Sequence, residues 1–135
     1  MGLNSDLYDA LHNDATVEGL VGTRITPYIQ RQKATMPYIY WESISLIPIQ
    51  TLSGDTGVVM VNRQLVCVAS TSDEADTLAK AVRDVFADFY HSGNFEHIRV
   101  TNETDMANLD EVNELIERYA KIVEVEIMYR EDSGT

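Results

Sequence analysis

The sequence predicts an α+β fold: a mainly antiparallel sheet of about four strands with helices packed on one face. Three observations carry this. Residues 71–90 repeat apolar side chains at helical spacing. Residues 121–130 alternate apolar and polar side chains, the period of a strand with one wet face. Residues 38–47 and 58–69 are rich in β-branched and aromatic side chains and flank a turn signal, so they read as a long hairpin. The length of 135 residues suits one domain, 1–135, closed by a polar tail at 131–135 that is expected to be mobile.

Taken in order, residues 4–13 form a short helix with Leu3, Leu7, Ala10 and Leu11 on one stripe. A second turn follows around Ala15 to Val21, with Asp14 as its cap and Gly22 at C′. A short strand is expected at 23–26 and a loop between Pro27 and Pro37. Along 38–47, Tyr38, Tyr40, Glu42, Ile44 and Leu46 share one face, and Pro48 predicts a strand end or a sheet edge. Ser53-Gly54-Asp55-Thr56-Gly57 is the turn signal, so the hairpin loop is expected to run to about ten residues. In the helix at 71–90, Thr71 and Glu74 fit a capping box, and Gly93 suits the stop. A third strand is expected at 95–101, an acidic stretch without an assigned element at 102–113, and the last strand at 121–130.

Hydrophobic residues make up 44% and charged residues 24%, which places the chain among globular folds and away from disordered ones. The net charge of −12 comes from 22 acidic and 10 basic residues. It argues against a grip on duplex phosphates, which needs clustered Lys and Arg, and against contact with anionic membranes. It fits either plain solubility or a surface that repels nucleic acid or meets a basic partner. Cys67 is the only cysteine and stands in an apolar run, so it reads as a small buried hydrophobe and suits a reducing compartment. The first residues carry neither signal-peptide nor myristoylation features, and no apolar run approaches bilayer length.

Catalytic chemistry finds no foothold in the sequence. His12, His91 and His97 have no metal-ligand spacing and read as surface side chains. There is no phosphate-binding loop, dinucleotide fingerprint or nucleophile elbow. Glu103, Asp105, Asp110, Glu111, Glu114 and Glu117 form an acidic run that reads as a solvated face before a loose divalent-ion site. Glu42 stands among aromatics and calls for a cationic partner, with Arg63 on the next strand as the candidate. The plain alternative is a cross-strand pair worth under about 1 kcal/mol. No cofactor or metal is implied.

Several motifs then line up in order. Leu7-Tyr8-Asp9-Ala10-Leu11 leads to Leu20-Val21-Gly22-Thr23-Arg24-Ile25, and Met36-Pro37-Tyr38-Ile39 opens a strand after a proline-bounded loop. Arg63-Gln64-Leu65-Val66-Cys67-Val68-Ala69-Ser70 is followed by the helix with Glu74-Ala75 and Leu78-Ala79-Lys80-Ala81-Val82-Arg83. Val123-Glu124-Val125-Glu126-Ile127-Met128-Tyr129-Arg130-Glu131 closes the series. Over about residues 5–131 this succession resembles the phage tail-completion, or tail-terminator, family. The resemblance implies a virion protein of the tail or neck, made in the host cytoplasm. It implies a hexameric ring at the head-proximal end of the tail tube, which stops tube growth and faces the head–tail connector. Its partners would be further copies of itself, the tail tube protein and the connector or stopper, with DNA passing through the ring unbound.

Candidate contacts are Arg24, Arg31, Lys33, Tyr40, Glu42, Leu52, Asp55 and Arg63. Arg31 and Lys33 place basic charge in the loop before the first long strand, a natural match for carboxylates in so acidic a chain. Leu52 is expected exposed at the hairpin tip, where it can reach a neighbour. Three other readings stay open. One is another neck protein, a stopper or adaptor, told apart by its partner. One is an acidic mimic of DNA, which scattered basic residues at 24, 31, 33, 63, 80 and 83 weaken. The last is a small enzyme, which a deep pocket around Tyr40 and Glu42 would revive.

Overall fold

The computed structural model describes residues 2–27, 35–52, 54–87, 90–106 and 119–131. Within them the order is α1 (Leu3–His12), α2 (Ala15–Val21), β1 (Ile25–Thr26), β2 (Tyr38–Thr51), β3 (Gly54–Ala69), α3 (Ser72–Val85), β4 (Tyr90–Ser92), β5 (Phe95–Met106) and β6 (Tyr119–Arg130). The strands form one sheet in the order β1-β2-β3-β6-β5-β4. Only β1 and β2 run parallel. The class is therefore α+β with a mostly antiparallel sheet, as expected, but the described residues hold six strands and not about four.

The helices begin where the sequence places their caps. Asp14 accepts from the Val17 amide at 3.1 Å, and Gly22 ends α2 with a positive φ of 59°. Thr71 Oγ1 accepts from the Glu74 amide at 3.1 Å. The reciprocal half of the capping box is displaced by one residue: Glu74 accepts from the amide and hydroxyl of Ser70, both at 3.1 Å. The helix is shorter than its apolar repeat. It stops at Val85, and 90–92 turns back as β4 through Gly93, whose φ of 57° favours glycine.

The hairpin is longer and tighter than expected. Pro48 does not end β2, which runs on to Thr51, and only residues 52 and 53 link it to β3. The glycine-rich signal is absorbed as an irregularity inside β3. Ile49 pairs with Val58 and Gln50 with Asp55, leaving Thr56 and Gly57 extra. Thr56 staples this bulge: its hydroxyl donates to the Ile49 carbonyl at 2.6 Å and accepts from the Val58 amide at 3.2 Å. Gly57 supplies a φ of 79°.

β3 is the spine, paired with β2 on one side and with β6 on the other. Its alternate residues divide between two buried clusters. Val59, Val61, Leu65 and Cys67 join Trp41, Ile127 and the buried helix side chains Leu7, Leu11, Val17, Leu78 and Val82. Val66 and Val68 join Tyr38, Tyr40 and Ala120 in a second cluster. The period of two puts these sets on opposite faces. Burial pushes the Cys67 thiol pKa up, so this residue acts as an apolar core atom set. β5 extends to Met106 and absorbs part of the acidic stretch that had no assigned element. Residues 107–118 and the tail at 132–135 lie outside the described residues.

Candidate assembly interface

The sheet offers contact surfaces at its edges. β1 covers β2 only at Ile39 and Tyr40, so among the described residues β2 has no outer partner beyond Tyr40. At the other end β4 pairs with β5 only through Ile98 and Phe95, leaving β5 without an outer partner beyond Ile98 among the described residues. β6 covers β3 from Val58 onward, so the hairpin tip projects past it as an arm. A bulge between Ser43 and Ser45 leaves Ile44 as the extra residue of β2. Ile44 and Ile47 are 55% and 57% exposed, Leu46 is half exposed and Leu52 is fully exposed.

The predicted contact residues divide sharply. Leu52 stands exposed at the arm tip, as expected. Arg31 and Lys33 lie outside the described residues. Asp55 pairs with Gln50 in the arm, and its side chain is outside the described part. Arg24 turns inward: its Nε donates to the Pro37 carbonyl at 2.9 Å, and its Nη2 to the Leu20 carbonyl of α2 at 3.4 Å. Tyr40 is buried in the second cluster; that burial, with Glu42 and Tyr38 adding to it, pushes its hydroxyl up to about 12.

The expected Glu42–Arg63 pair does not form. Glu42 stands opposite Gln64, and Arg63 stands opposite Ser43. Neighbours along a strand point to opposite faces, so the one-residue offset separates the two charges across the sheet. Arg63 instead donates through Nη1 to Asn4 Oδ1 of α1 at 2.7 Å. Trp41 Nε1 donates to the same oxygen at 3.0 Å. Arg63 Nε is buried without a partner among the described residues, and burial lowers the guanidinium pKa. Asn4 thus acts as a shared acceptor that fixes α1 to the sheet, and Tyr129 donates its hydroxyl to Asp6 two residues further along.

Carboxylates near β5 and β6 are tied to cations. Lys121 meets Asp105 at 2.7 Å, Asp76 at 3.1 Å and Glu103 at 3.6 Å, and Arg83 Nε donates to Glu103 at 2.5 Å. Arg130 meets Glu96 at 3.1 Å. His97 is half-buried and not a plain surface histidine. A bulge between Phe95 and His97 turns two adjacent residues toward β6, and His97 Nε2 lies 3.4 Å from Glu126. Arg99 Nε donates to Glu126 at 2.8 Å.

That hydrogen bond holds the Glu126 carboxyl below its usual range; partial burial opposes it and His97 reinforces it. A carboxylate depressed in the folded state stabilises above its unfolded pKa and loses that contribution as pH falls through the folded value. Glu126→Gln is therefore expected to remove a small part of the acid-side loss of stability below about pH 5, under about 1 kcal/mol. Urea midpoints measured at pH 7 and pH 3 for both proteins check it.

Sequence reasoning picks out only Leu52 of the apolar arm and misses the set. A signal was present: residues 43–54 form the longest run without a charged side chain in a chain that is 24% charged. Among the described residues no group of three or more His, Cys, Asp or Glu is placed to hold a metal ion.

Comparison with known proteins bears on this arrangement. A chain from a structure titled "Virion of native gene transfer agent (GTA) particle" shares the fold at a TM-score of 0.68 and 17% identity, with 94% of each chain covered. No curated protein matches the sequence. The family described as "Tail completion protein gp17" matches residues 5–116, most of the length. The chain belongs to the tail completion protein gp17 family and is a structural protein of the phage tail.

Proposed function

We propose that the protein terminates the tail tube. Copies assemble into a ring, six in the simplest form, on the head-proximal end of the tube. The ring stops further tube polymerisation and offers its opposite side to the head–tail connector or stopper. DNA passes through its opening. The observation that carries this reading is the family match over residues 5–116.

The physical chemistry supports it. A surface with a net charge of −12 per copy gives phosphates no counterion-releasing grip, so a duplex slides past. In this reading the three helices cover one face of the sheet and leave its edges for neighbours. Arg31 and Lys33, with Leu52 and Asp55 of the hairpin arm, are the contacts we assign to another subunit or the tube.

The reading as a stopper or adaptor differs only in its partner. The DNA-mimic reading loses support from the ion pairs. Glu96, Glu103, Asp105 and Glu126 each have a cation within 4 Å and do not stand as free phosphate-like charges.

Tube protein polymerised with and without this chain distinguishes these readings under the electron microscope. A terminator yields short tubes carrying extra density at one end. Tubes that grow equally long and bare in its presence would remove the proposal, and capture of the chain by the portal complex alone would favour the stopper.

A further inference from the structure

Five large apolar side chains are exposed among the described residues: Ile44, Leu46, Ile47, Leu52 and Tyr119. Four of them belong to β2 and the tip that follows it. The same stretch is the longest charge-free run of the chain, and it borders a strand edge without a partner among the described residues. Exposed edges of this length and polarity invite association unless something covers them.

We propose that the β2 edge over residues 43–52 is a self-docking surface that takes the β5 edge, residues 99–106, of a second copy. The proposal rests on the reading that copies assemble with one another, and it names the surfaces that do so.

Charge selects the occupant. Each copy carries −12, so two copies approach against their own field and need a contact patch without carboxylates on at least one side. The β2 edge supplies that patch. On the β5 side, Glu103 and Asp105 are already held by Arg83 and Lys121, and Arg99 by Glu126. A β5 edge set against another β5 edge would bring two such acidic strands together. A β2 edge set against another β2 edge would close a pair and stop there. Joining β2 to β5 uses two different surfaces at opposite ends of one sheet, the head-to-tail relation that repeats around an axis.

Pro48 shapes the contact. It has no N–H to give, and proline within a sheet keeps its nitrogen side toward the open edge. The added strand therefore gains fewer backbone hydrogen bonds than a regular ladder. Ile44, turned out by the bulge, with Leu46 and Ile47, supplies much of the hold by apolar burial.

The test compares the wild type, the double variant Ile44→Glu/Ile47→Glu, and Lys80→Glu, an exposed site on α3 where the net charge shifts by the same two units elsewhere. All three are expected to fold with urea midpoints close to one another, because the altered side chains are exposed. Light scattering over a concentration series is expected to give multiples of 15.2 kDa for the wild type and for Lys80→Glu, and 15.2 kDa for the double variant. Mixed Leu46→Cys and Thr101→Cys chains are expected to form a disulfide-linked pair that neither forms alone, and buried Cys67 stays out of the reaction. A wild type that remains at 15.2 kDa at every concentration, a double variant that keeps its oligomer, or Leu46→Cys linking to itself overturns the proposal. If the double variant keeps its mass and still caps tubes, this surface falls while the terminator reading stands. If the double variant loses its oligomer but the wild type caps no tubes, the reading falls and the surface stands.

Discussion

Replacing Trp41 with alanine is expected to cost about 3–5 kcal/mol of stability, the largest effect of any single truncation in β2. Trp41 is buried where β1 coverage ends, and its ring joins the cluster that holds the helix side chains. Its truncation opens a cavity beneath α1. It also frees the Nε1 bond to Asn4, leaving that oxygen to Arg63 alone. Trp41→Phe separates the two contributions. It keeps most of the apolar bulk and loses the donor, so a smaller loss of about 1–2 kcal/mol is expected. Urea denaturation of both variants, with an unchanged slope as the sign of an intact two-state transition, measures the difference. Equal losses for the two would mean that the hydrogen bond, and not the packing, anchors α1.

Leu78→Ala is expected to cost about 2–5 kcal/mol. Leu78 is fully buried at the centre of α3, and the helix docks on the sheet through it, Ala75, Val82 and Phe86. The exposed ion pair on the same helix gives a control of opposite scale. Lys80 and Asp84 meet at 2.8 Å with side chains 67% and 61% exposed. Solvent screens such a pair, so Asp84→Ala is expected to change stability by under about 0.5 kcal/mol. Thermal or urea midpoints of the two variants should differ widely although the residues sit within two turns of each other. Similar midpoints would contradict the assignment of α3 as a helix held by its apolar stripe.

Much of the fold is legible in the sequence because the local signals agree with the tertiary outcome. Asp14 and Thr71 cap the helices they were expected to cap, and β6 follows its alternation to the end. Three misreadings share one physical cause: a local signal was overridden by pairing with another strand. Pro48 marks an edge, as a strand proline should, but β3 alongside holds β2 in register past it. The helical repeat at 71–90 continues beyond Val85, yet Tyr90 and Ser92 are claimed by β5. Asn102–Asp105 has too many acidic and polar residues to look like a strand, but Lys121 on β6 compensates its carboxylates. The Glu42–Arg63 pair failed for another reason. Register decides which face a side chain takes, and one residue of offset is invisible without the partner strand. The apolar arm was legible only as an absence of charge, which single-residue scanning passes over.

The place of β6 has a temporal consequence. It is the last strand among the described residues, yet it lies between β3 and β5. Without it the two halves of the sheet have no common hydrogen-bonded seam, and Tyr129 cannot reach Asp6 in the first helix. On the ribosome, then, the sheet cannot close until Tyr119–Arg130 have left the exit tunnel. Until β6 arrives, β3 and β5 each lack the strand that joins them, so nascent chains on one messenger do not yet carry the finished sheet.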